Sequence, residues 1–373
     1  MTHRECFQKV MAGQVTDWVP NYELGLWGHT VQRWLDEGLP RDRAYLGDMF
    51  EGEPLFQLDR RAFARLNIWM IPPFEYEVIE QTDRYEVFRD GGGIVHRALR
   101  EGTVRGTRMS MDAYLEHPVR DRASWRDVKR RYDPAAPVRY PLWWDEQARL
   151  WQGRDYPLCL LSNGSFGLYS QLRSWVGTEN ISYLFYDDPA LVAEMIESHT
   201  EFLLGLIDRA LREVRFDYFN FFEDCAGKGG PLFGPEQFGK FFRKPYRRIT
   251  DRLRRGGIES IWLDSDGDCR ALIPLWQEAG VNCFWPLERA SDMDPVALRR
   301  QFGGDIVLCG GVDKREIAKG PQAIDAELER LRPVVEQGGY IPHIDHTVPP
   351  SVSYRDFLYY MEQKRKIIGT TSE

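Results

Sequence analysis

DYFNFFED, residues 217–224, is a short aromatic, strand-forming run that stops at two carboxylates, and the pattern returns four times. IESIWLDSD (258–266) ends at Asp264 and Asp266, VNCFWPLE (281–288) at Glu288, DIVLCGGVD (305–313) at Asp313 and GGYIPHIDH (338–346) at Asp345 and His346. In a barrel or doubly wound sheet of parallel strands the carboxyl ends of all strands share one rim, so residues remote in sequence become neighbours there. The run-ending acids of Glu223, Asp264, Asp266, Glu288, Asp313 and Asp345 therefore predict one site.

Between these strands lie stretches with helical periodicity, at residues 235–255, 271–279, 295–302 and 321–337, and 353–368 closes the chain. Upstream, 189–214 reads as a long amphipathic helix. Its start is marked by Asp187-Asp188 and by Pro189 in the first turn, both favourable at a helix N-terminus. Seven or eight strand–helix units without a Gly-rich dinucleotide fingerprint favour a (β/α)8 barrel over an open sheet. The first strand is expected at residues 17–23, after an N-terminal extension that carries a short helix at 2–11. Residues 74–97 differ, with near-alternating side chains around Gly91-Gly92-Gly93, and predict an inserted β-hairpin or meander laid over one mouth of the barrel. No second core is apparent, so residues 1–373 are expected to form a single domain.

The 373 residues are 43% hydrophobic and no apolar run approaches membrane-spanning length. A net charge of −8 disfavours a nucleic-acid partner, because such binding rests on Lys and Arg neutralising phosphates. The one basic run, between Arg243 and Arg255, has apolar residues at helical spacing and reads as a solvated helix face. The charged start of the chain lacks the apolar core of a secretory signal, and the six cysteines show no C-x-x-C spacing. A cytoplasmic protein is expected, without membrane or nucleic-acid partners, and compatible with a homodimer.

On an extended strand end, residues two apart point the same way, so Asp264 and Asp266 can present two carboxylates to one point. They do not begin a calcium loop, whose sixth residue must be Gly and whose twelfth Glu; here these are Cys269 and Leu275. His346 stands just past the last apolar stretch, where it can reach the same rim as ligand or acid/base. Glu223 follows a run of mostly aromatic residues, and if it points inward burial raises its pKa and suits it to general-acid work. Pairing with Lys228 is the structural alternative. Gly227-Lys228-Gly229-Gly230 lacks the phosphate-loop pattern. The aromatic residues Trp18, Tyr22, Trp27, Phe166, Tyr169, Trp262, Phe284 and Trp285 fall on or beside strand ends, where core packing or a pocket for a flat ligand would account for them.

These segments resemble the uroporphyrinogen decarboxylase superfamily, which includes zinc methyltransferases. The similar stretches are FEDCAGKGGPLFGPEQF, IWLDSDGDCRALIPLWQEAGVN, PLERASDMDP, DIVLCGGVDKREIAKG and GGYIPHIDHTVPPSVSYRDF, with weaker likeness at 4–20 and 163–188. The resemblance implies a (β/α)8 barrel with its site at the carboxyl rim, and His346 matches the site histidine of the decarboxylase. The decarboxylase's Arg-rich motif for tetrapyrrole carboxylates is replaced here by NYELGLW, residues 21–27, so porphyrinogen decarboxylation is not expected. The methyltransferase branch binds zinc through a His-x-Cys motif and a later Cys. The corresponding positions in this chain are Asp264, Asp266 and His346. Oxygen and nitrogen ligands would leave zinc a harder Lewis acid, suited to a departing alkoxide or phenolate.

The resulting expectation is a metal-assisted methyltransferase that moves a methyl group from a small O-methylated, aromatic or aliphatic, donor to a separate corrinoid protein. Asp264, Asp266 and His346 would hold zinc or another divalent metal, with Glu223, Glu288 and His346 in catalysis and Asn21, Trp27, Asn163 and Tyr169 shaping the substrate pocket. The chain has no D-x-H-x-x-G segment of its own for a corrinoid. A metal-free lyase acting on a small carboxylated substrate, and a non-catalytic binding barrel, are the alternatives.

Overall fold

A computed structural model describes all residues except 44–48, 50, 109, 163–164 and 370–373. Its centre is a curled, all-parallel sheet of seven strands: β1 (Ala62–Ala64), β6 (Leu158–Leu160), β7 (Tyr218–Phe222), β10 (Ser260–Asp264), β11 (Cys283–Trp285), β12 (Val307–Cys309) and β13 (Tyr340–Ile341), neighbours in that order. Between β1 and β6 the chain makes an antiparallel meander, β2 (Glu77–Gln81), β3 (Tyr85–Arg89), β4 (Val95–Leu99) and β5 (Ala113–Glu116). A small hairpin, β8 (Ala226–Gly227) with β9 (Gly230–Pro231), follows β7. The meander is thus the expected insertion, extended by one strand beyond residue 97.

The gap between β13 and β1 is occupied by residues 19–26, which overlap the first strand expected at 17–23. Most of this segment is buried, but side chains and single bridges replace the ladder. Asn21 donates its amide to the Asp59 carboxylate and receives the Asp59 amide at its carbonyl, while Leu26 makes a parallel bridge to Val348. Glu23 closes the seam: it accepts from Ile344 N at 3.1 Å, from Tyr360 Oη at 2.8 Å and from Lys364 Nζ at 2.6 Å, and both Glu23 and Lys364 are buried. The result is a (β/α)8 barrel in which the eighth position is held by hydrogen bonds to side chains as much as by backbone pairing.

Parallel register sets which side chains meet inside. Ser260 lies opposite Tyr218, Trp262 opposite Asn220, and Asp264 opposite both Phe222 and Trp285. Since alternate residues share a face, Tyr218, Asn220 and Phe222 line the lumen with Ser260, Trp262 and Asp264. The lumen is packed with rings: Tyr218 and Trp262 have centroids 5.0 Å apart, Trp262 and Trp285 6.0 Å, and Trp285 and His343 6.2 Å. Phe7, on the helix His3–Met11, reaches Tyr218 at 5.2 Å and so covers the amino-terminal end.

Outside the barrel the helices begin as the sequence prescribes. Asp188 caps Pro189–Glu213 through Leu191 N, Asp294 caps Pro295–Phe302, and Thr2 with Glu5 forms a capping box. On Arg243–Arg255, Tyr246, Ile249 and Leu253 are buried, while Arg248 and Arg252 pair with Glu197 and Asp208 at 2.6 and 2.7 Å. The basic run is the solvated face it was expected to be. All six cysteines are free and buried, and among the described residues no helix is long and apolar enough to cross a membrane.

Candidate functional site

The loops after β10, β11, β12 and β13 bring charged groups to one place at the carboxyl rim. His346 Nε2 lies 3.3 Å from Asp266 Oδ2. Glu288 accepts from Gly267 N at 3.3 Å and faces Lys314 Nζ at 3.6 Å, and the same ammonium is 3.6 Å from Asp345. Asp345 is fully buried and also accepts the amides of Arg289 and Lys314, which ties the β11 and β12 loops to β13. Gly267, at φ +75°, permits this: a Cβ there would lie 2.5 Å from the Ala226 carbonyl oxygen.

The electrostatics follow from that crowding. Burial, then the Asp266 charge, push Asp264 well above the ordinary carboxylate range, against the influence of the neighbouring Asn220 amide. Asn220 in turn accepts from Trp285 Nε1 at 2.7 Å. The Asp266 hydrogen bond raises His346 above its usual value, opposed by burial. The rim thus holds a carboxyl pushed toward its neutral form beside an imidazole favoured in its charged form, a pair suited to supplying a proton to a departing group.

Not every expected acid joins them. Glu223 follows Phe222, so its side chain turns away from the lumen. It accepts the amides of Leu168, Tyr169 and Ser170, with Oε2 to Ser170 N at 2.9 Å. It therefore anchors the start of the helix Leu168–Val176. Burial pushes its carboxyl up to about 8, opposed by those three amides. Gly167 makes the approach possible, since a Cβ there would sit 1.9 Å from the Phe222 carbonyl oxygen. Asp313 likewise caps Lys314–Ile317 and pairs with Arg315 at 2.6 Å.

The expected pocket residues are dispersed. Trp27 is partly exposed on the rim, its amide 3.4 Å from the Val348 carbonyl. Asn21 is fully buried in the seam, with Nδ2 donating to the Gln57 carbonyl and Oδ1 unpartnered. Tyr169 packs in the core, its ring centroid 4.6 Å from that of Phe233. Asn163 lies outside the described residues. A cavity of about 690 Å³ instead opens beneath the meander, lined by Ser170, Gln171 and Arg173 of the next helical face and by Phe222 and Asp224 at the end of β7. Lys314, Asn220 and this cavity were missed by sequence reasoning. Lys314 carried no signal, because it sits one residue past a run-ending acid in a helix start.

The expected zinc ligands Asp264, Asp266 and His346 are neighbours. Among the described residues, however, no three His, Cys, Asp or Glu side chains are arranged as ligands to one ion. Asp266 is engaged by the imidazole and Asp264 completes no ligand set with the pair, so the residues present do not fit a formed zinc site.

A parallel (β/α)8 barrel with an acid–imidazole cluster on its carboxyl rim is the class this architecture defines. The chain belongs to the uroporphyrinogen decarboxylase (URO-D) family, whose model matches residues 103–366. Its fold is similar to that of a methyltransferase from Methanosarcina mazei, at 14% identity and a TM-score of 0.60, over 98% of each chain. No curated protein sequence matches it.

Proposed function

We propose that this protein is a methyltransferase that moves the methyl group of an O-methylated donor to a separate corrinoid protein docked at the open barrel mouth. The observation that carries the reading is the Asp266–His346 pair, 3.3 Å apart, next to Asp264, whose carboxyl burial pushes well above the ordinary range. The fold shared with a methyltransferase supports it. When docked, the corrinoid would supply a cobalt centre as acceptor of the methyl carbon. The chain's own residues then manage the oxygen left behind. As the C–O bond breaks both its electrons stay on oxygen, and the His346 imidazolium donates the proton that neutralises it. Asp266 orients the ring and favours its charged form, while Lys314 offsets the negative charge of Glu288 and Asp345 nearby. No step in this reading passes through zinc.

The test is incubation with cob(I)alamin and a panel of methyl ethers, following methylcobalamin by absorbance. Methylation that is lost in Asp266→Ala, with folding intact by circular dichroism, is the expected result. A second reading, a lyase acting on a small carboxylated substrate, is favoured by the raised pKa of Asp264, which would protonate a carbanion. Release of CO2 from carboxylated substrates, with no methyl transfer from any ether, would select it.

A further inference from the structure

The cavity beneath the meander lies outside the barrel lumen but reaches it at Phe222 and Asp224. Phe222 is the register partner of Asp264, and the Asp224 charge acts on Asp264, so the cavity's inner end is the acid cluster's neighbour. Its volume, about 690 Å³, falls within the range of ~300–1,000 Å³ that holds drug-sized ligands. A one-carbon donor would leave most of it to water. Its outer wall is mostly apolar: Trp69, Met111, Tyr114 and Leu115 line it beside His96 and His117, and the first four are exposed, Met111 at 82%. Exposed apolar side chains gathered on one concave surface mark a binding groove. The opposite wall, on the helix Leu168–Val176 and the residues after it, is polar at Gln171, Arg173 and Asn180. The meander that supplies the apolar wall is an insertion between β1 and β6 and adds no strand to the barrel.

We propose that the methyl donor is a bulky amphipathic aryl ether, its ring system beneath the meander against Trp69, Met111 and Tyr114, its polar edge at Gln171 and Asn180, and its methoxy group at Phe222. This rests on the methyl-transfer reading for the identity of the reacting group, while the chamber itself stands on the cavity's shape and chemistry. The meander then acts as the specificity element of the enzyme.

Binding is measured on the whole protein by calorimetry and tryptophan fluorescence, using one-ring and two-ring methyl ethers and the corresponding phenols. Affinity is expected to rise about tenfold or more from one ring to two, for ethers and phenols alike, because a second ring buries a large apolar area. Gln171→Trp, which fills the cavity and removes a polar contact, should abolish that gain. Met111→Glu, at an exposed position that tolerates a charge, should weaken two-ring ligands about tenfold by placing a charge against the ring and keeps the test open should Gln171→Trp misfold. Affinity independent of ring number, or unaltered by both substitutions, overturns the chamber even where a small ether is demethylated. Size-graded phenol binding with no methyl transfer from any ether upholds the chamber and overturns the methyl-transfer reading.

Discussion

Replacing Glu23 by Gln is expected to cost this protein a large part of its stability, because the carboxylate is the common partner of three groups that close the barrel seam. Lys364 Nζ and Tyr360 Oη reach Oε1 at 2.6 and 2.8 Å, and Ile344 N reaches Oε2 at 3.1 Å, with Lys364 also donating to the Tyr22 carbonyl at 2.8 Å. Gln keeps the size and one acceptor. It removes the charge and turns an amide N–H₂ toward a donor. Lys364, whose ammonium burial already disfavours and Glu23 sustains, is then a buried charge without its counter-ion. Removing one member of a buried pair costs about 3–5 kcal/mol, against a total stability of about 5–15 kcal/mol for a folded domain. With a urea slope of about 3 kcal/mol per molar for a chain of this size, the midpoint should fall by about 1–1.7 M. Urea unfolding followed by circular dichroism measures this. Lys364→Met added to Glu23→Gln should recover at least half of the loss, since an apolar side chain in place of a buried charge is neutral or better. A single variant within 1 kcal/mol of the parent protein, or a double variant at least as unstable as the single, would refute the reasoning.

Three further outcomes follow from the same geometry. His199, ring-stacked on Phe166, and His343, against Trp285, are buried and held by burial down to about 3, so both stay neutral in the folded protein and charge on unfolding below about 6.5. Each histidine's contribution is therefore full above pH 6.5 and falls below it, by about 2 kcal/mol at pH 5. Glu223, raised by burial, contributes with the opposite sign over this window, so the histidine part is read as the difference between the parent protein and His199→Phe in thermal melts from pH 7.5 to 5, and a difference that does not change with pH would contradict this. Asp266→Asn removes the hydrogen bond that raises His346 and leaves burial to favour the neutral ring, so the alkaline limit of the pH–rate profile should move to lower pH with activity down ~10-fold or more near neutrality; an unmoved profile would remove His346 from proton transfer. Gly167→Ala drives a methyl into the Phe222 carbonyl and the Glu223 carboxyl, and should destabilise the protein by about 1–3 kcal/mol in a denaturant titration, whereas Gly153→Ala, in open space and likewise outside the left-handed region, serves as the comparison.

The barrel was legible because β-prone runs such as IESIWLDSD alternate with amphipathic helices, and both periodicities are local properties of the chain. The rim followed from the same fact: parallel strands put Asp264, Glu288 and Asp345 at one end wherever the sheet closes. What each acid does there was not legible. Glu223 and Asp264 both end an aromatic strand, yet strands alternate faces, so Asp264 lies level with Phe222 on the lumen and Glu223, one residue on, turns outward to the helix at Leu168. A one-residue difference in where a run stops decides this, and no pattern in either segment marks it. Lys314, Asn220 and the cavity beneath the meander escaped for a related reason, being set by which loops cross above the strands. Sequence alone determined that strand ends would meet and that carboxylates and His346 would be among them, since periodicity and composition are carried by neighbours in the chain. Only the tertiary structure decided which acids burial pushes toward their neutral form, which cap helices and which face a chamber, because burial and charge proximity are sums over groups hundreds of residues apart.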